Sequence, residues 1–530
     1  MNKVMDRAQK SSVPAQTRVT SEWLTRHFSC VVDRTRSILF CLVFALAATG
    51  CANLQAPQRD HLASTDIRLA ECAVWFKALD AAVTQSGVND IAARPMPGFP
   101  YLRIDRFLAA MKAEAKQDLQ LRRAWIDAMR ARDADGRRVE IANLPAAQIA
   151  GLGASERTVV ETQTQYCAER LMTADLGTET AIDELYRRAF VADDYSSAKR
   201  ALGLYELARL PFYAGVNGWH DEAAETFSKA SRGELTKERM QRYLPPQVPV
   251  FSRHQVREIL TRVAEHPLGL AQLSQAQRQQ LFATYAPVLE VETHAVFDRI
   301  GRLYWSYDAS PRVDVSQPVV YHRLGYTRVG GRTLLQLVYL AWFPERPIDG
   351  SFDILGGHLD GVVWRVTLAA DGEPLLFDSI HPCGCYHMFF PTPRLQPLPS
   401  PQPWTEWAFI PTSLPTVTES QQLVVEVESR SHYLRNVFAT AAPGNGTTYQ
   451  LAEYADLRSL PLPQGGARSV FGPDGLIAGS ERGERYLFWP MGIKSAGAMR
   501  QAGSQPTAFV GRRHFDDADL VDRRFRFRDE

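Results

Sequence analysis

The stretch YHRLGYTRVGGRTLLQLVYLAW, Tyr321 to Trp342, decides the fold class. Gly330-Gly331 suits the two positive-φ positions of a tight hairpin turn, and the runs on either side, Tyr321 to Arg328 and Arg332 to Trp342, have the β-branched and aromatic content of strands. The same device returns at Asp371-Gly372, with a slightly longer loop, between Val362 to Leu368 and Leu375 to Ile380. Leu423, Val425 and Val427 alternate with Glu426 and Glu428, which predicts a strand with one wet face. Thr447 to Glu453 and Arg485 to Trp489 read as further strands, and Pro391 to Pro403 as extended surface loop.

Upstream of about Val288 the period changes. Cys72, Trp75, Phe76, Leu79 and Val83 fall on one face of an α-helix, and Ile104, Phe107, Leu108, Met111 and Ala115 repeat that spacing. Leu121, Trp125 and Met129, then Val160, Cys167 and Leu171, continue it, with breaks at Asp135-Gly136 and Gly151 to Gly153. Ser252 with Gln255, and Ser274 with Gln277, are capping boxes that open two more helices. Helices first and strands afterwards predict an α+β chain, an N-terminal helical domain followed by a mainly antiparallel β-rich C-terminal domain. The expected boundaries are a signal over 1–50, a tether over 51–64, helices over 65–245, a helical connector over 246–287 and the β-rich part over 288–530.

Composition narrows the function classes. The 530 residues are 45% hydrophobic and 22% charged, an ordinary globular balance that excludes a disordered or fibrous chain. Sixty Lys plus Arg against 59 Asp plus Glu leave a net charge of +1, so no bulk field favours nucleic acid. P-loop, dinucleotide-binding, His-Glu-x-x-His and Gly-x-Ser-x-Gly motifs are missing, as is Cys-x-x-Cys-His.

The first fifty residues supply an address. A basic stretch runs from Lys3 to Arg36, an apolar run from Ile38 to Ala48, and then Thr49-Gly50-Cys51. The apolar run spans only about half of a bilayer core, which describes a secretory signal better than a transmembrane helix. Ala48-Thr49-Gly50-Cys51 resembles a bacterial lipoprotein signal, with Ala48 where Leu is usual; a plain secretory signal or an uncleaved anchor is the alternative. The resemblance implies lipidation of Cys51, and Ala52 rather than Asp implies sorting to the outer membrane, with the body facing the periplasm.

The densest reactive cluster is Asp378-Ser379-Ile380-His381-Pro382-Cys383-Gly384-Cys385-Tyr386-His387. Two histidines and two cysteines alternate at every second position. In a straight strand these side chains would stand about 6.6 Å apart on one face, too far for shared chelation with bonds of about 2.3 Å to sulfur. Pro382 and Gly384 are the residues that permit a bend. Three readings stay open. His381, Cys383, Cys385 and His387 bind Zn or Cu; the cysteines are oxidised, in keeping with an oxidising compartment; or Cys383 or Cys385 is a nucleophile, with His381, His387, His432 or His514 as base and Asp378 as its orienter. Elsewhere, Cys72 and Cys167 are core thiols or a disulfide between two helices. His358-Leu359-Asp360 has the form of half an iron triad but reads more simply as part of a turn. His432 reads as structural, and Arg512 to Asp517 as a solvated or salt-bridged tail.

Several segments carry a resemblance: Trp342-Phe343-Pro344, Leu359-Asp360-Gly361, Trp364-Arg365-Val366-Thr367-Leu368, the Asp378 to His387 cluster, Trp489-Pro490-Met491-Gly492-Ile493 and Gly511-Arg512-Arg513-His514-Phe515. Together they resemble predicted lipoproteins of proteobacteria. That resemblance implies the address and brings no mechanism with it. The sequence therefore predicts a lipid-anchored binding or structural module of the envelope, with an envelope-protein or cell-wall partner; the alternative is a cysteine-nucleophile hydrolase or acyltransferase.

Overall fold

A computed structural model describes residues 64–528; the signal stretch and Cys51 lie outside the described residues. The first helix, α1 (Ile67–Ser86), starts where the Asp66 carboxylate accepts from the Arg68 and Leu69 amides, and it ends at Gly87 in the left-handed conformation. Cys72, Phe76, Leu79 and Val83 form its buried face, as their spacing predicts. A hairpin of β1 (Arg94–Met96) and β2 (Phe99–Ile104) follows, then α2 (Arg106–Ala110), α3 (Lys112–Gln117) and α4 (Leu119–Asn143). The Ile104 to Ala115 spacing is thus not one helix: Ile104 closes β2, and Asp105 caps α2. Asp135-Gly136, which reads as a break, lies inside α4. Gly136 is there because Arg103 packs against it, and a Cβ would sit 2.5 Å from the guanidinium. That guanidinium is buried between Asp133 and Glu140.

Five helices complete the first half: α5 (Ala146–Gly151), α6 (Arg157–Asp175), α7 (Glu179–Arg188), α8 (Ser197–Leu202) and the long α9 (Tyr205–Ser231). A disulfide between Cys72 and Cys167, with Cα atoms 4.9 Å apart, ties α1 to α6. After β3 (Met240–Leu244), both expected capping boxes are present on α10 (Arg253–Glu265) and α11 (Gln275–Tyr285). Then come β4 (Val288–Glu292) and the small hairpin of β5 (Arg302–Trp305) and β6 (Pro311–Asp314).

The deciding stretch forms the expected hairpin. β7 (Val319–Val329) and β8 (Arg332–Arg346) pair antiparallel through Gly330 and Gly331, at φ 56° and 76°. β9 (Gly357–Leu368), β10 (Pro374–Ile380) and β11 (Met388–Pro391) continue the meander. The Pro-rich stretch contributes β12 (Leu395–Pro397), which pairs with the last strand, β19 (Phe525–Phe527). Next are β13 (Gln422–Val427), β14 (Leu434–Thr440), β15 (Thr447–Thr448) and β16 (Gln450–Glu453), then the short pair β17 (Leu460–Pro461) and β18 (Ala467–Arg468).

Besides the two-stranded pairs, two larger sheets form among the described residues, in the orders β11-β10-β9-β8-β7-β16 and β14-β13-β4-β3-β15. Most pairs are antiparallel, but β13 with β4, β15 with β3 and β16 with β7 run parallel. The sheets face one another: Leu337, Tyr339 and Trp364 share a core with Leu289 and Val425. The opposite face of the larger sheet, with Val338, Leu340 and Trp342, is covered by Ile477, Met499 and Phe515 from the irregular C-terminal segment. Burial on both faces explains the unbroken apolar run of β8.

Three expectations need correction. β13 has no wet face: Glu426 is fully buried, because Lys237 and Arg435 neutralise it. Arg485 to Trp489 is not a strand but α12 (Arg485–Phe488) running into a 3₁₀ turn. The described residues belong to one compact unit; β3, from the expected helical part, pairs with β4 across the expected boundary. Among the described residues no helix is long and apolar enough to cross a membrane.

Candidate functional site

The Cys/His cluster is the loop of a hairpin. β10 and β11 pair as far as Ser379 with Met388, leaving 380–387 as the connection. Two backbone bonds fold it: Gly384 N donates to His381 O at 2.8 Å, and His381 N donates to Cys385 O at 3.0 Å. Gly384 sits at φ 99°, and a Cβ there would lie 2.2 Å from the carbonyl oxygen of Pro506. Only glycine fits so close to backbone in that conformation. The bend that Pro382 and Gly384 predict is therefore present.

The bend separates the imidazoles. His381 Nδ1 lies 3.1 Å from Asp360 Oδ1, and its Nε2 lies 3.1 Å from the carbonyl oxygen of His432. His387 Nε2 lies 2.8 Å from Asp378 Oδ2. Asp378 is also held by both arms of Arg365, at 2.8 and 2.5 Å, with the Arg365 guanidinium 3.6 Å over the Phe515 ring. Among the described residues no three His, Cys, Asp or Glu side chains converge to hold a metal ion. A tetrahedral or trigonal N/S site needs such a trio, so His381, Cys383, Cys385 and His387 do not fit Zn or Cu as one centre. Cys383 and Cys385 are free thiols, with the Cys385 amide 3.5 Å from the Cys383 sulfur. The neighbouring sulfur and then burial push the Cys385 thiol well above its usual range. A thiol held protonated in this way is a poor nucleophile.

Asp360 joins the two histidines that the sequence leaves apart. Its second oxygen lies 2.9 Å from His432 Nδ1, while His432 Nε2 stands 3.6 Å from Asp298 Oδ1, in range of charge attraction. Burial works against a charged His432, but the two carboxylates outweigh it and raise its pKa above the ordinary value. Burial likewise opposes an ionised Asp360, and the attraction and hydrogen bonds of His381 and His432 outweigh it, holding its carboxyl well below the usual range. His358 takes no part, since its Nε2 meets the carbonyl oxygen of Pro311. His514 is engaged with Asp194, 3.2 Å away. Leu359, Tyr386 and His432 all adopt left-handed backbone, at φ 57°, 61° and 54°. Each costs about 1–2 kcal/mol, so the surrounding packing must impose this geometry, as it does where backbones are held for function.

The loop roofs a cavity of about 530 Å³. Its walls are mostly apolar and aromatic: Phe212, Val216 and Trp219 from α9, Tyr386 and Tyr433, and Leu487, Phe488 and Phe509 from the C-terminal segment. Trp219 anchors one wall, 5.1 Å from Tyr386, 5.6 Å from Phe409 and 6.0 Å from Tyr433 between ring centres. His220 stacks on Phe409 at 4.1 Å, and burial followed by the Arg513 charge lowers its pKa to about 4. Two charged groups of the wall, Glu406 and Arg513, are satisfied within the protein. Glu406 accepts from the amides of Phe509 and Val510, and Arg513 donates to Thr507 and to the carbonyl oxygen of Trp407. Burial raises the Glu484 carboxyl to about 7, although Arg482, Arg346 and Arg500 pull the other way.

One lining residue carries a solvent-closed nitrogen without a hydrogen-bond partner. His387 is buried, burial lowers its pKa to about 3, and its Nδ1 bonds to nothing. The Asp378 carboxylate can only accept, so the ring proton sits on Nε2 and Nδ1 presents a lone pair. Trp219, His220 and Glu484 are site residues that the strand-centred reading misses. For Trp219 and His220 the local signal is a helix that tolerates Pro211 and carries Gly215 and Gly218 beside several aromatics; Glu484, just before α12, has none. Comparison with protein-family models, with curated proteins and with solved structures finds no match.

Proposed function

We propose that this chain is an exported binding module, lipid-anchored through Cys51 at the periplasmic face of the outer membrane, whose ligand occupies the aromatic cavity under the 380–387 loop. The cavity carries the reading: about 530 Å³ of mostly apolar space with few polar groups is the form small-molecule sites take. The thiols act here as wall and packing, since Cys385 is held protonated. The test uses the neutral dye N-phenyl-1-naphthylamine and the purified mature protein. One saturable site per chain is expected, lost in Gly215→Trp, where the new side chain starts from open space on the cavity wall. No saturable binding, or equal binding by the variant, contradicts the reading. The address is tested apart from this, by palmitate incorporation in cells: Cys51→Ser abolishes it if the anchor is lipid, and leaves it unchanged if the expectation is wrong.

One observation favours a second reading, the cysteine nucleophile. His387 is oriented by Asp378, has a free Nδ1, and shares the cavity with Cys383 and Cys385. The Asp–His pair has the arrangement of an orienter and a base, but no hydrogen bond joins His387 to either sulfur, so the couple is incomplete. The iodoacetamide alkylation rate of Cys385 against pH separates the readings. A nucleophile reacts fully below pH 7, whereas a thiol of the cavity wall becomes reactive only above about pH 9.

A further inference from the structure

We infer that the face made by the start of α9 and by α12 lies on an anionic lipid bilayer, its leucines among the acyl chains and Trp404, Tyr486 and Trp489 at headgroup depth. The inference goes beyond the cavity reading. It needs neither a ligand in the cavity nor an acyl chain on Cys51.

Large apolar side chains stand in water on both elements. Leu202 and Leu207 are 78% and 68% exposed, and Leu204 and Leu210 are exposed with them. Across from these, Tyr486 is 72% exposed, Leu487 and Trp489 are exposed too, and α12 buries none of its residues. The two groups belong to one surface. A Cβ on Gly203, between Leu202 and Leu204, would lie 2.6 Å from Pro490, the residue after Trp489. Phe212 of α9 meets Phe488 of α12 edge-on, with ring centres 5.1 Å apart. Exposed Trp404 joins the same edge through Tyr213 of α9, 5.6 Å away. An apolar patch of this extent marks a protein or membrane contact.

Leu204 carries a second sign of outside contact. It precedes α9 in left-handed backbone, at φ 49° and ψ 52°, and caps no helix amide with its side chain. That conformation is unfavourable for any residue but glycine, and little burial of the side chain offsets it here. Strain without an internal return fits a side chain held out for a partner.

Charge selects the partner. From Leu210 to Trp219 the helix has no charged residue. Lys199, in the last turn of α8, and Arg485, which opens α12 and donates to the Tyr486 hydroxyl, flank the leucines. The carboxylates nearby are engaged: Glu206 by Arg209, Asp193 by Arg512, and Glu481 by the Gly479 amide. Leucines framed by tyrosine and tryptophan, with cations beyond them, have the composition of a surface seated in a bilayer interface. Long basic side chains there lie along apolar surface and place their charge at anionic headgroups. A second copy is a poorer fit, since a two-fold contact would set the same cations against one another with no unengaged carboxylate to meet them.

The test uses the protein as purified from cells and vesicles of phosphatidylethanolamine with phosphatidylglycerol, their acyl chains plain or brominated. Bromine quenches the indoles that reach it, so attachment through the N-terminus alone leaves this face unquenched. Brominated chains should quench the wild type, and should quench Trp404→Phe/Trp489→Phe at least about three-fold less. Leu204→Ser/Leu207→Ser, at exposed positions where substitution leaves the fold intact, should lower the quenching as much. Vesicles of phosphatidylcholine alone, or high salt, should weaken it. Equal quenching of the wild type and the Phe variant, or quenching that survives the Ser variant, overturns the inference. Equal quenching on phosphatidylcholine overturns the anionic partner. Vesicle binding without quenching also overturns the inference, while the proposed anchor stands. Sedimentation without lipid checks the remaining occupant: a dimer that Leu204→Ser/Leu207→Ser dissolves gives this face to a second copy and overturns the bilayer. The dye result bears on the cavity alone, so the two readings fail separately.

Discussion

Replacing Asp360 by Asn removes one negative charge from the centre of a buried polar cluster and almost nothing from its shape. Asp360 is 1% exposed and serves two rings at once, His381 at 3.1 Å and His432 at 2.9 Å. Asn offers one carbonyl oxygen, so one ring N–H faces an amide N–H instead. A lost hydrogen bond to a charged group is worth about 1.5–3 kcal/mol, and breaking a buried charge pair by removing one partner costs about 3–5 kcal/mol in all. The cost is pH-dependent with a definite sign. The pKa of His432 is raised in the folded protein, chiefly against burial and through Asp298 and Asp360. Its contribution is therefore complete below the unfolded value of about 6.5 and is lost as pH rises through the folded value. Asp298 and Asp360 have lowered values, so their contribution is lost only as pH falls below the usual carboxylate range. Urea unfolding at pH 6, 7.5 and 9 should show Asp360→Asn about 3–5 kcal/mol less stable at pH 6, the gap narrowing towards pH 9. A deficit under about 1 kcal/mol at pH 6, or a gap that does not change with pH, refutes the reasoning.

Other outcomes follow from the same coordinates. Gly384→Ala should cost about 1–3 kcal/mol for the backbone conformation alone, and more as Pro506 is pushed aside; thermal melts should show the loss, and dye binding should weaken with it. Glu484→Gln should stabilise the protein above pH 7 and not below pH 4.5. A carboxyl raised to about 7 forfeits stability as pH climbs from its unfolded value, by about 3–4 kcal/mol at pH 8, and paired melts at pH 4 and 8 read the difference. The Cys72→Ala/Cys167→Ala double variant opens a link across 95 residues and should lose about 2–5 kcal/mol, with free-thiol titration of the unfolded wild type checking the bridge itself.

The fold class was open to reading because turn chemistry is local. Two consecutive glycines with left-handed backbone force the β7–β8 hairpin whatever surrounds them, and the capping boxes at Ser252 and Ser274 likewise close on their own third residues. Burial of charge was not readable, since it depends on distant partners. Glu426 looks like a solvent-facing alternation, yet Lys237 and Arg435 come to it from other strands and loops. Gly136 looks like a helix break because the Arg103 that needs the space is 33 positions away. At the site, the local alternation of His381, Cys383, Cys385 and His387 shows where the chain bends. It cannot show that Asp360 and Asp378 claim the two imidazoles from opposite ends of the loop. The cavity is harder still, because its walls come from α9, the hairpin loop and the C-terminal segment, and only the fold brings them together.

The central claim is that a small molecule sits between α9 and the 380–387 loop. Native mass spectrometry of the protein purified gently from cells, beside Gly215→Trp prepared in the same way, tests this most directly. The account predicts one non-covalent small-molecule adduct per wild-type chain that is absent from the variant. A wild-type chain without such an adduct that also takes up no apolar molecule on addition, or an adduct held equally by both proteins, contradicts it.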